Sequence, residues 1–112
     1  MRALFVELSS FERRRSGYVD DEQFRQLQID LLSDPECGDV IVGTGGLRKM
    51  RFADARRGKG KRGGLRIVYF WWVRGAQFWL FTIYDKNEME DLSTREKKAL
   101  KRMLEDELEA RA

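Results

Sequence analysis

The hydrophobic positions change period along the chain, and each change marks an element. Ala3 to Leu8 is a short apolar run around Phe5 and Val6 that predicts a first strand, and Ser10 to Tyr18 follows as a helical segment. Asp20 then reads as a helix N-cap, with Gln23 three positions on as its capping-box partner. Phe24, Leu27, Leu31 and Leu32 recur at helical spacing as one apolar stripe that belongs to the core. The helix is expected to stop near Ser33-Asp34-Pro35, because the residue before a proline resists helical geometry. Residues 36–46 make a glycine-rich connection with Val40-Ile41-Val42 as a small apolar plug.

Three strands are expected next, over Leu47 to Phe52, Leu65 to Val73 and Gln77 to Tyr84, with Arg74-Gly75-Ala76 turning the last two into an antiparallel hairpin. Ile67 to Trp72 and Phe78 to Phe81 are nearly continuous apolar runs, which suits a central sheet covered by helices better than an exposed one. Ser93-Thr94-Arg95-Glu96 is a second capping box. It opens a final amphipathic helix carrying Leu100, Met103, Leu104 and Leu108. The order β-α-α-β-β-β-α predicts an α+β fold, a small antiparallel sheet packed by two N-terminal helices and a C-terminal helix. At 112 residues the chain is expected to form a single domain over residues 1–112.

Composition changes this picture by exclusion. Cys37 is the sole cysteine and there is no histidine, which removes intrachain disulfides, Ser-His and Cys-His nucleophiles and most metal-ligand sets. The opening MRALFVELSSFERRR lacks an export signal's apolar core, and no run approaches the ~20 apolar residues of a membrane span. The expected location is the cytoplasm, with no membrane partner. Gly58-Lys59-Gly60-Lys61-Arg62-Gly63 fits G-x-G-x-x-G, but it opens a strand rather than a helix, so it is no dinucleotide fingerprint. Glu88 and Asp91 could do acid-base work, yet both precede the Ser93 cap, where the helix dipole already accounts for negative charge.

Charge is unevenly placed. Between Arg48 and Arg66 nine basic residues stand against Asp54 alone, a local balance of +8 in a chain whose net charge is +3. That asymmetry points to a polyanion. Lys49 and Arg51 share one face of their strand by the period of two, and Arg66 can face the same way from the next strand. Such a patch suits RNA phosphates, with Tyr69 or Tyr84 as a ring for stacking.

Three blocks in order, GTGGLRKMR, GKGKRGGLRIVYFW and FTIYDKNEMEDLS, ahead of a final helix, resemble the RelE/HigB toxins of bacterial toxin-antitoxin systems, most closely the HigB-type branch. The resemblance covers nearly the whole chain. It implies a RelE-like fold of the microbial RNase type and a ribosome-dependent messenger RNA endonuclease that uses the RNA 2′-OH as nucleophile. It implies no metal and no cofactor. The implied partners are the ribosome, messenger RNA and an antitoxin, usually one with a helix-turn-helix domain, through which alone operator DNA would be met.

The implied site has Lys49 as proton-transfer group, Arg51 and Arg66 as clamps on the scissile phosphate, and Lys86 and Tyr84 as support. Arg48, Arg56, Arg57, Lys59, Lys61, Arg62, Tyr69 and Asn87 are expected to bind RNA. Asn87 replaces what is often an arginine, and Ser93 takes the approximate place of a tyrosine, so the proton carrier stays open among Lys49, Lys86 and Tyr84. Two other readings also stay open: a gyrase poison like the related ParE toxins, and a plain RNA- or DNA-binding module.

Overall fold

The chain runs β1 (Leu4–Glu7), α1 (Ser9–Arg15), α2 (Asp21–Ser33), β2 (Asp39–Val40), β3 (Arg48–Phe52), a 3-10 turn (Ala55–Arg57), β4 (Leu65–Trp72), β5 (Gln77–Asp85) and α3 (Thr94–Arg111). The computed structural model describes residues 2–57 and 63–111. All five strands join one sheet in the order β1-β5-β4-β3-β2. The α+β class and the expected element order hold, with the two-residue β2 added at one edge.

The sheet is antiparallel from β2 through β5, whereas β1 pairs with β5 in parallel, Phe5 beside Phe78 and Val6 beside Trp79. A wholly antiparallel sheet is therefore corrected at this edge. No tight turn joins β1 to β5, and a long connection that carries helices permits parallel pairing.

Both capping boxes form. In α2, Gln23 N donates to Asp20 Oδ1 at 2.8 Å and Asp20 N to Gln23 Oε1 at 2.8 Å. Before α3, Glu96 N donates to Ser93 Oγ at 3.1 Å and Ser93 N to Glu96 Oε1 at 2.7 Å. By contrast α1 stops at Arg15, short of Tyr18, because Gly17 favours a tight exit: Gly17 N donates to Arg14 O and Tyr18 N to Arg15 O. The early exit lets Tyr18 turn into the core.

Two apolar layers explain the continuous hydrophobic runs. On one face Met50, Phe52, Ile67, Tyr69, Phe78, Leu80 and Ile83 pack with Phe11 of α1 and with Leu27 and Leu31 of α2. On the other, Val68, Trp79, Phe81 and Tyr84 pack with Leu92 and with Leu100 and Leu104 of α3. Of the expected plug only Ile41 enters this second layer; Val40 and Val42 are 54% and 86% exposed. The reason is local. Val40 lies in a two-residue edge strand, and the chain then turns through Gly43 and Gly45 at positive φ. No helix among the described residues is long and apolar enough to cross a membrane.

The ladder between β4 and β5 is broken at one point. Val68 pairs with Thr82 but Tyr69 with Leu80, which leaves Phe81 as the extra residue of a β-bulge. Trp79 and Phe81 face α3, yet beyond the bulge Ile83 faces α1 and α2 while Tyr84 faces α3. The bulge shifts the alternation by one and puts Tyr84 opposite Arg66.

Gly38 fixes the connection between α2 and β2. Its N–H donates to Tyr69 Oη at 3.0 Å, and Tyr69 Oη donates to Pro35 O at 2.8 Å. A Cβ at this position would stand 2.9 Å from the buried Tyr69 ring and 3.0 Å from the Lys49 carbonyl. Gly38→Ala is expected to destabilise the fold by about 1–3 kcal/mol through overpacking, read as a lower urea midpoint. An unchanged midpoint would show that residues 35–38 can move aside without cost.

Candidate nucleic-acid cleft

Helix α3 covers the part of its sheet face that carries Val68, Trp79 and Phe81, and beyond that part the same face carries Lys49, Arg51 and Arg66. These three cations line one cleft of about 630 Å³ together with Asp30, Cys37, Asp39, Met50, Glu90 and Asp91. Arg51 and Arg66 are direct cross-strand partners, and Arg66 is in turn opposite Tyr84. The entry to β4 makes this approach possible. Gly63 adopts φ +64°, and a Cβ there would press on the aliphatic stem of Arg51 at 3.1 Å.

The cations are not in equivalent states. Lys49 Nζ donates to Asp91 Oδ1 at 3.0 Å. The Lys49 bond, with a second from Leu92 N at 2.7 Å, holds the Asp91 carboxyl below its ordinary range. Arg66 Nη1 donates to Gly63 O and to Leu65 O, so the backbone turn orients its guanidinium. Among the described residues neither Arg51 nor Arg66 has an ion-pair partner. Two like charges directly opposed on a sheet repel each other, and an anion held between them would reverse that penalty.

Tyr84 lies beneath. Its ring is 1% exposed, so it offers no face for base stacking, and its Oη is buried without a hydrogen-bond partner among the described residues. Burial, reinforced by the negative charge of Asp91, pushes its pKa up to about 12 against the pull of Arg66. At neutral pH it is a protonated donor rather than a base.

The remaining expected residues separate clearly. Lys86 and Asn87 are exposed on the turn after β5 and do not line the cleft. Tyr69 is fully buried on the opposite face, its hydroxyl occupied by Pro35 and Gly38, so the expectation that it stacks on RNA is corrected. Arg48 also points to that face and is spent on Gly38 O at 2.8 Å and Glu36 Oε2 at 2.9 Å. Arg56 is a structural bolt. It binds Asp54 through Nε and Nη2 and Asp85 through Nη2, both acids being buried, and its guanidinium lies 4.7 Å over the Tyr18 ring. Lys59, Lys61 and Arg62 lie outside the described residues, as does the Arg57 side chain.

What the sequence reading missed is the acid in the cleft. Asp91, assigned to the helix dipole, is instead the partner of Lys49, and Asp30, Asp39 and Glu90 share the lining. No signal in the sequence pairs Lys49 with a residue 42 positions away. Among the described residues no group of three or more His, Cys, Asp and Glu could hold a metal ion.

The orphaned Tyr84 hydroxyl generates a test. At neutral pH Tyr84→Phe removes a polar atom that bonds nothing, so stability is expected to hold or rise by up to about 1 kcal/mol. In the wild type, the contribution of Tyr84 is present below its ordinary pKa of 10.0 and is lost as pH climbs toward 12. Urea midpoints measured through that window should fall less steeply for Tyr84→Phe, with the residual decline owed to Tyr69, which burial also pushes up. Equal slopes would mean that Tyr84 ionises in a solvated site.

No protein-family model matches the sequence. Solved structures do. The intact E. coli RelBE toxin-antitoxin complex contains a chain that superposes with a TM-score of 0.53 at 13% identity, over 75% of this chain and 96% of that one. The isolated E. coli RelE toxin gives 0.51 at 16% identity, over 91% and 99%. A free E. coli RelE mutant with two arginines replaced by alanine gives 0.51 at 15%, over 80% and 90%. At these identities the likeness speaks for the backbone, and what it establishes is that this chain has the fold of the RelE toxin.

Proposed function

We propose that this chain is the toxin of a toxin-antitoxin pair and a ribosome-dependent endoribonuclease acting on messenger RNA, with an antitoxin as its cognate partner. The observation that carries this reading is the opposition of Arg51 and Arg66 across β3 and β4 at the open end of the sheet, with no acid paired to either among the described residues. Both guanidiniums are placed to fork onto the non-bridging oxygens of one phosphate and to meet the charge that grows there in the transition state.

The chemistry then follows from the cleft. The RNA 2′-oxygen attacks the adjacent phosphorus, the bond from phosphorus to the 5′-oxygen breaks, and a cyclic phosphate and a 5′-hydroxyl result. A phosphate entering the cleft competes with Asp91 for Lys49. Once released, the Lys49 ammonium gives its proton to the leaving 5′-oxygen. Asp91, freed of the lysine that lowers its pKa, accepts the proton of the 2′-OH. Tyr84, neutral and buried, stands opposite Arg66 across β4 and β5 and leaves the positive charge of that guanidinium uncompensated for the phosphate. Lys86 and Asn87 are placed outside this first set and serve RNA contacts on the turn.

Primer-extension mapping of transcripts after brief expression tests the reading. Arg66→Lys keeps the charge but removes the fork, and is expected to fold and bind ribosomes while losing ~10²–10³ in cleavage rate. Wild-type cut positions and growth arrest in cells expressing Arg66→Lys would refute bidentate clamping. Intact transcripts with broken DNA in cells expressing the wild type would point to gyrase instead.

Asp91→Asn separates binding from chemistry. Removing the carboxylate that competes for Lys49 should tighten RNA binding by roughly 1.5–5-fold, the scale of one exposed ion pair. The same change should slow single-turnover cleavage by ~10²-fold or more through loss of the proton acceptor. Tighter binding with unchanged cleavage would leave Asp91 as a counter-ion only.

A further inference from the structure

The outward face of α3 carries a charge order that opposes its own helix dipole. Arg95, Lys98, Lys101 and Arg102 are exposed in the first half, with Lys97 half-buried beside them, and Glu105, Asp106 and Glu109 are exposed in the second, while Glu96 in the first turn and Arg111 in the last follow the dipole. A helix N-terminus favours negative charge and its C-terminus positive charge, so this arrangement is the reverse of what stability would select. Like charges also meet at helical spacing, in Lys97 with Lys101 and Lys98 with Arg102, where they repel.

The basic residues form one arc. Leu100 and Leu104 are buried against the sheet, and at 100° per residue Arg95, Lys98 and Arg102 fall on the opposite side with Lys101 on the flank; all four are exposed. Among the described residues no ion pair engages any of the five cations. The one ion pair within α3 joins Glu107 to Arg111 in the other half. The arc also adjoins the cleft: Asp91 lines it, α3 begins at Thr94, and the charge of Lys97 acts on the Asp91 carboxyl.

From this arrangement we infer that the exposed basic half of α3 is a docking surface for the phosphate backbone of ribosomal RNA, continuous with the messenger cleft and distinct from the glycine-lysine-arginine string. The occupant is argued from charge. About 10 Å of helix offers cations with no ion pair among the described residues, its one acid, Glu96, being engaged by the Ser93 cap, and a polyanion relieves the mutual repulsion. The acidic second half limits the contact to the end beside the cleft. The inference rests on the ribosome-dependent reading and extends it to a second surface.

Purified ribosomes and vesicles of phosphatidylglycerol are the probes, with transcripts mapped in parallel. The triple variant Arg95→Gln, Lys98→Gln, Arg102→Gln is expected to keep its circular-dichroism spectrum, with a thermal midpoint at or above that of the wild type. Its ribosome affinity should fall on the order of tenfold, and its slope of log affinity against log salt should flatten by about 2. Glu105→Gln with Glu109→Gln, on the acidic half, should leave the slope unchanged.

Wild-type affinity and slope in the triple variant, with transcripts cut normally by the wild type, would overturn this surface and leave the ribonuclease reading standing. Uncut transcripts in the wild type, with ribosome affinity still lost in the triple variant, would sink the ribonuclease reading and keep the surface. Loss of vesicle binding alone would assign the arc to a membrane and overturn the inference, as would an equal loss in the acidic-half variant.

Discussion

Burial of β4 and β5 on both faces is the constraint on which the rest of the molecule depends. Ile67, Tyr69, Phe78 and Leu80 pack toward α1 and α2, and Val68, Trp79 and Phe81 toward α3. A charge cannot stand in the middle of such strands without a buried partner. Cations on β3 and β4 are therefore confined to the end that α3 leaves open, and Arg66, the second residue of β4, is held by eight residues of rigid strand. The location of the cleft is thus decided by packing before any chemistry is considered.

The bulge at Phe81 decides which residue stands beside Arg66 at the edge of that cleft. A regular strand carrying Trp79 and Phe81 toward α3 would send Ile83 the same way and turn Tyr84 to the other face. The extra residue reverses this, so a neutral tyrosine lies opposite Arg66 while Ile83 fills the layer against α1 and α2. Among the described residues the Tyr84 hydroxyl finds no hydrogen-bond partner, which is the cost of seating this ring in the layer against α3.

Local grammar was readable along the chain; long-range pairing was not. The Asp20 and Ser93 capping boxes, the break at Pro35, the hairpin around Gly75 and the common face of Lys49, Arg51 and Arg66 depend on neighbours in sequence or on strand period, and all are found. The parallel seat of β1, the bulge and the burial of Tyr69 depend on partners far away. Charge failed as a guide for a related reason. Arg48 and Arg56 count toward the same basic excess as Arg51 and Arg66, yet Glu36, Asp54 and Asp85 neutralise them where the chain folds back.

The acids therefore carry as much of the argument as the cations. A cleft of bare lysine and arginine would take up any polyanion, and this one does not present itself bare: Asp91 occupies Lys49, and the backbone turn at Gly63 to Leu65 engages Arg66. Of the three, Arg51 alone reaches the opening with no side-chain bond to the described residues. A phosphate that meets Arg51 first gains Arg66 by geometry, but it gains Lys49 only by displacing a carboxylate. An anion in this cleft therefore meets one cation freely, a second by cross-strand geometry and the third only against a competing carboxylate, so the acids set how tightly it is held.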